Sequence, residues 1–118
     1  IWEAVLFAPH QKLGNLTVII DFNKIQSFGR VKDVLNLQPL GEKWGSFGWN
    51  CVEVDGHDLS ALNAALQRQK RSIEVPKVVI AHTIKGKGVS FMEDQLEWHY
   101  KSPSPELLEA ALEELEQS

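Results

Sequence analysis

Asn23 lies in the run Asp21-Phe22-Asn23-Lys24-Ile25, directly after a row of aliphatic residues, and offers a neutral side-chain oxygen. The main-chain carbonyl of Ile25, two places on, can turn toward the same point. Hard cations such as Mg2+ and Ca2+ take oxygen ligands of this sort. Two neutral oxygens hold a divalent cation weakly, so a carboxylate and an anionic ligand would have to complete such a site. Read alone, Asn23 is a turn former after a strand. His99, in Glu97-Trp98-His99-Tyr100, falls in an aperiodic stretch between aromatics. A histidine there can donate to an anionic ligand or relay a proton near neutral pH, though a surface or packing role is the plainer reading. The turn Ile84-Lys85-Gly86-Lys87-Gly88 invites comparison with phosphate loops. It fits neither the GxxxxGK[ST] pattern nor the dinucleotide fingerprint.

The remaining candidates are weaker. His57 belongs to a tight turn, and His10 and His82 carry no spacing that suggests zinc. Cys51, beside Trp49 and Val52, reads as a small buried side chain, and a lone cysteine cannot close an internal disulfide. That usage fits a reducing, cytoplasmic setting.

The elements that must position these residues alternate between strand and helix patterns, which predicts an α/β fold with a parallel sheet and flanking helices. An opening helix should bury Trp2, Val5, Leu6 and Leu13, kinked or shortened by Pro9 and stopped at Gly14-Asn15. Leu16–Ile20 reads as a strand buried on both faces. Asp21–Gly48, punctuated by glycines, reads as an ordered loop with one or two short helices. A second strand is expected over Asn50–Val54, followed by a turn and a helix capped by Asp58 with Leu59, Leu62 and Leu66 as its buried stripe. After a break around Ser72–Pro76, a third strand covers Lys77–Thr83, and Val89–Ser102 reads as loop. Ser104-Pro105-Glu106 announces a last helix whose apolar face is Leu107, Leu108, Ala111, Leu112 and Leu115. Ligands of open parallel sheets bind beyond the carboxyl ends of the strands. That rule points to Asp21–Ile25, Asp55–Asp58 and Thr83–Gly88.

The bulk numbers set limits. The 118 residues make one domain or a piece of one, with 43% hydrophobic and 24% charged residues. A formal charge of −4 argues against a nucleic-acid partner, which calls for a basic face. The concentration of charge from Arg68 to Arg71 reads as the solvated end of a helix. No apolar run approaches the roughly 20 residues of a membrane span, and no signal peptide is recognisable. The opening Ile1-Trp2-Glu3-Ala4, without an initiating Met, reads as though cut from a longer protein.

Order and spacing add what single motifs lack. Ile1-Trp2-Glu3-Ala4, Lys12-Leu13-Gly14-Asn15-Leu16, Ile20-Asp21-Phe22-Asn23-Lys24-Ile25-Gln26, Val54-Asp55-Gly56-His57-Asp58, Thr83 through Glu93 and Trp98-His99 together resemble the transketolase family. The nearest pattern is the N-terminal subunit of the bacterial two-chain type, over nearly the whole chain. The resemblance implies a partial diphosphate-binding domain spanning residues 1–118, without the upstream Gly-Asp-Gly segment that begins the family's metal motif. It implies thiamine diphosphate held through Mg2+ or Ca2+, with Asn23 and the Ile25 carbonyl as metal ligands. Lys85 falls on the cofactor side, and His99 matches the catalytic histidine that contacts diphosphate and substrate. The implied reaction moves a two-carbon ketol unit between sugar phosphates. The base system needs a glutamate from a pyrimidine-binding domain or second subunit, within a dimer or heterotetramer, so the chain alone is expected to be inactive. Pro9 inside the opening helix and Tyr100, where a glycine is usual, depart from the pattern. A deoxyxylulose-phosphate synthase, a 2-oxoacid dehydrogenase and a non-catalytic α/β fragment are the alternatives.

Overall fold

The computed structural model describes residues 1–67 and 74–117. The expected basic stretch Arg68–Arg71 and the start of the break at Ser72 lie outside the described residues. The chain forms two compact units, Ile1–Phe22 with Leu37–His82, and Asn23–Asn36 with Thr83–Ser118.

The first unit is a three-stranded parallel sheet with helices. Its strands are β1 (Thr17–Phe22), β4 (Asn50–Asp55) and β5 (Lys77–His82), in the order β1-β5-β4. Register pairs Ile20 with Ile80 and Glu53 with the same Ile80. Among the described residues, helices α1 (Trp2–His10), α3 (Leu40–Ser46) and α4 (Leu59–Gln67) accompany the sheet in this unit. The most buried strand is β5, where Val78, Val79 and Ile80 have no exposed surface and only His82 is half-buried. Each such side chain stabilises the fold by about 1.5–3 kcal/mol.

The sheet order corrects the expectation for Leu16–Ile20. β1 stands at one end of the order, and its Ile19 is 57% exposed. An aliphatic run reports apolarity, and it does so equally for a central strand and for one at the margin. Strand alternation then divides the residues of β5 between two faces. Ile80 lies under α3, next to Gly41, while Lys77 points to α4.

Lys77 is itself fully buried. Its Nζ donates to the Ala65 and Leu66 carbonyls of α4 at 2.7 Å each. A cation also suits the negative end of the helix dipole. At the other end, Asp58 accepts from the Ala61 amide at 2.9 Å, the cap expected of it. The buried stripe of α4 differs from the expected one. Ala65 is buried with Ala61 and Leu62 half-buried, while Leu59 and Leu66 face outward. Small side chains let the helix lie close to the sheet, so the stripe keeps Leu62 but runs through Ala61 and Ala65 in place of Leu59 and Leu66.

Pro9 shapes α1 as a local rule dictates. Proline has no N–H, so the Val5 carbonyl loses its normal partner four residues on. The Trp49 indole supplies one instead, with Nε1 donating to Val5 O at 2.7 Å in a buried setting. Trp49 in turn packs edge-on to Trp44 at 4.8 Å. Val5 and Ala8 are the buried residues of α1, whereas Leu6 is exposed and Trp2 lies half-open against Trp44 and Phe47.

The second unit contains a hairpin of β2 (Ile25–Gln26) and β3 (Gly29–Arg30), the short helix α2 (Val31–Val34), a 3-10 turn (Leu96–His99) and helix α5 (Pro105–Glu116). Over Asp21–Gly48, where an ordered loop with one or two short helices was expected, the short helices α2 and α3 form and the hairpin is an addition. The last helix starts as its sequence announces, with Ser104 Oγ accepting from the Leu107 amide. Its buried line is Ala111 with half-buried Leu107, Ala110 and Glu114, while Leu108, Leu112 and Leu115 are about half exposed.

Candidate functional site

The chain leaves β1 at Phe22 and turns at once. Asn23 Oδ1 accepts from the Ile25 amide at 3.0 Å, and Lys24 takes a left-handed φ of 66°. The Lys24 carbonyl accepts from the Val31 amide at 2.9 Å, which closes the hairpin base. Within the hairpin Ile25 pairs with Arg30 and Gln26 with Gly29. Ile25 is buried and Asn23 half-buried. An amide oxygen carries two lone pairs, so one contact to Ile25 leaves the second for a ligand.

Lys85 opens the glycine turn in the same unit. Gly86 (φ 71°) and Gly88 (φ 94°) both adopt the left-handed backbone. At Gly86 no other residue fits, since a Cβ would lie 2.7 Å from the Met92 carbonyl oxygen. Helix α5 holds the far side of this loop. Glu114 accepts from the Ser90 amide at 2.5 Å and from Ser90 Oγ at 2.7 Å. These bonds, the backbone amide first, keep the Glu114 carboxyl below its usual range.

Two residue pairs join the hairpin to the segment from Thr83 to Asp94, and a further bond closes that segment on itself. Lys24 Nζ donates to the Thr83 carbonyl at 3.3 Å. Arg30 forks onto Asp94, with Nη1 to Oδ1 and Nη2 to Oδ2 at 2.8 Å, and Nη2 also reaches the Asp94 carbonyl at 3.2 Å. Asp94 itself donates its amide to the Lys85 carbonyl at 2.8 Å. Hydrogen bonding from Arg30 holds the Asp94 carboxyl below its ordinary range.

His99 closes the 3-10 turn that packs against β2. Trp98 anchors this turn by donating its indole N–H to the Phe91 carbonyl at 2.9 Å, with Lys101 stacked 4.7 Å over its ring. His99 is exposed, and the Tyr100 ring meets it edge-on at 4.7 Å. The departure at Tyr100 thus sits against the histidine it was expected to affect.

Asn23, Ile25, Lys85 and His99 therefore all fall in one compact unit, linked by the hairpin, the Asp94 bond and the 3-10 turn. Their polar groups are an amide oxygen, a main-chain carbonyl, an imidazole and a lysine side chain. Among the described residues no cluster of three His, Cys, Asp or Glu could hold a metal. The chemistry fits half of a Mg2+ or Ca2+ site, one completed by a carboxylate and an anionic ligand from elsewhere.

The other candidates resolve differently. The His57 backbone amide donates to Asp55 Oδ1 at 2.9 Å, which fixes the tight turn. Cys51 is half-buried, and burial, with the charge of Glu53 added, pushes its thiol upward. His82 pairs with Glu53 at 2.7 Å and meets Phe22 edge-on, contacts that no spacing in the chain announces. An apolar hollow of about 510 Å3 in the first unit, lined by Trp2, Val18, Ile20 and Trp44 among others, includes none of the four site residues. Among the described residues no helix is long and apolar enough to cross a membrane.

Known proteins share this pattern. The family described as transketolase, thiamine diphosphate binding domain, matches residues 1–109. A 6-deoxy-6-sulfo-D-fructose transketolase subunit from a Clostridium strain is 39% identical over 116 residues, which is 98% of this chain and 42% of that protein. An apulose-4-phosphate transketolase subunit of Actinobacillus succinogenes is 45% identical over 114 residues, 97% of this chain and 41% of its own length. The crystal structure of Campylobacter jejuni transketolase superposes with a TM-score of 0.88 at 29% identity, covering 98% of this chain and 18% of that one. The chain thus spans about two fifths of the curated relatives it matches. With its parallel sheet, flanking helices and family match over most of its length, the chain belongs to the transketolase family, within the thiamine-diphosphate-binding domain.

Proposed function

We propose that this chain, residues 1–118, is part of the diphosphate-binding domain of an enzyme that transfers a two-carbon ketol unit between sugar phosphates. Asn23 Oδ1 and the Ile25 carbonyl would hold a divalent cation, Mg2+ or Ca2+, that carries the diphosphate. Lys85 would face the cofactor. His99 would donate to the diphosphate or substrate and move protons at the substrate end. When bound, the thiazolium ring supplies the nucleophilic carbon and the electron sink. This chain's residues position and neutralise.

The observation that carries this reading is the placement of the Asn23 turn, the Lys85 loop and the His99 turn in one unit, with β2 packed against the His99 turn. Transketolase subunits among the relatives support a ketol transferase over a synthase or dehydrogenase. Relatives named as subunits support a partner subunit; in this reading a pyrimidine-binding domain, on the same or a second subunit of a dimer or heterotetramer, brings the glutamate of the base system. A free, half-buried cysteine suits a reducing, cytoplasmic setting. The chain without its partner is expected to be inactive.

Calorimetric titration of the full-length protein, assembled with a pyrimidine-domain partner, tests the reading. Saturable heat with thiamine diphosphate that requires Mg2+ is the expected result. An assembly that gives no heat with both present overturns the proposal.

A further inference from the structure

The two parts of the proposed site are far apart in sequence, and something must hold them in register. Asn23 and Ile25 belong to the hairpin, Lys85 to the glycine loop about sixty residues on. Arg30 is the cross-strand partner of Ile25, and Asp94 is the residue whose amide is bonded to Lys85 O at 2.8 Å. The Arg30 fork therefore joins the immediate neighbours of both parts. It makes three contacts, two to the carboxylate and one to the Asp94 carbonyl. Planar bidentate pairing fixes orientation as well as distance, which a point-charge lysine would not. Asp94 also takes a left-handed φ of 58°, a backbone state that aspartate and asparagine tolerate and most side chains do not.

We propose that the Arg30–Asp94 pair is a positioning strap that sets the metal-binding turn against the cofactor-side lysine loop. Neither residue touches the cofactor in this reading. Both side chains are about half exposed, 42% and 51%. Exposed pairs contribute little to overall stability, so the strap shows itself in the geometry of the site. Partners that orient metal ligands typically change metal affinity about 10- to 100-fold when removed. This inference rests on the cofactor reading above.

Arg30→Lys keeps the charge and loses the fork; Asp94→Asn removes the charge and tolerates the left-handed backbone. Both are made in the full-length protein together with its partner. Two quantities are read: affinity for thiamine diphosphate with Mg2+, and hydrogen exchange of the Ile25 and Asp94 amides in the cofactor-free protein. The strap predicts cofactor affinity weakened about tenfold in each variant, kcat at saturating cofactor unchanged, and faster exchange at both amides. Unchanged cofactor affinity in both variants overturns it. So does faster exchange at Asp94 with Ile25 unaffected, because the hairpin would then be independent of the loop. If the unaltered assembly binds no cofactor, the functional reading fails, and the exchange measurement still decides whether the strap exists.

Discussion

The Trp49 indole bond to the Val5 carbonyl exists because Pro9 cannot make one, and that dependence can be measured. Val5 and Trp49 are 2% and 6% exposed, so water cannot replace a lost partner easily. Trp49→Phe removes the 2.7 Å donor and leaves a buried carbonyl unsatisfied, at about 1–3 kcal/mol. The smaller ring also leaves space between Trp44 and α1, so the single variant mixes two effects. A double-mutant cycle separates them. Pro9→Ala restores an N–H four residues beyond Val5, and in that background the carbonyl keeps a partner when the indole is gone. Trp49→Phe should therefore cost about 1–2 kcal/mol less in the Pro9→Ala background than beside the native proline, within the usual range for contacting residues. Urea unfolding of the four proteins measures this, provided the slope with denaturant is unchanged. An equal loss in both backgrounds would refute the reasoning, since the indole would then contribute only packing.

Three further expectations rest on the same structure. Lys77→Met keeps the buried stem but leaves the Ala65 and Leu66 carbonyls without their donor; relief of a buried charge offsets part of that, so a net loss of about 2–3 kcal/mol is expected in unfolding experiments. Gly86→Ala forces a side chain into the left-handed region and against the Met92 backbone, and should destabilise by about 2–4 kcal/mol in thermal unfolding. Acid should loosen the loop between Lys85 and Asp94. The carboxyls of Asp94 and Glu114 lie below their ordinary values of 3.8 and 4.5 when folded, so their contribution is present above those values and fades as pH falls through the folded ones. Exchange of the Ser90 amide against pH measures it, and Glu114→Gln should flatten the profile.

Local signals mark the ends of elements well. Asp58 and Ser104-Pro105 sit at helix starts because their side-chain oxygens and fixed φ serve the first turn whatever the rest of the fold does. The three strands of the parallel sheet are also readable from their β-branched runs. What sequence does not convey is neighbourhood. Ile19 and Val79 belong to similar runs, yet one is exposed and the other has no accessible surface, because strand order is a long-range property. The leucines of α4 and α5 overstate their burial for a related reason: alanines let a helix approach closely, and the contact line follows them. Lys77 looks like an ordinary charged strand start until α4 is placed over it.

The candidate site divides along the same line. Asn23, Ile25, Lys85 and His99 are visible through family spacing, and they fall in one unit. Arg30, Asp94 and Glu114 are not, since a fork or a cap made across dozens of residues leaves no periodic trace. The hairpin after Asn23 is likewise hidden. Ser27-Phe28 carries none of the Asn-Gly signals that usually announce a two-residue turn.

The cation dependence of cofactor binding in the assembled enzyme reaches the central claim most directly, compared between the native protein and Asn23→Ala. The structure leads us to expect that the alanine variant needs far more Mg2+ to retain thiamine diphosphate while its unfolding midpoint moves little. Cofactor affinity and Mg2+ requirement identical to the native protein, with lowered stability, would mean that Asn23 only builds the turn to Ile25.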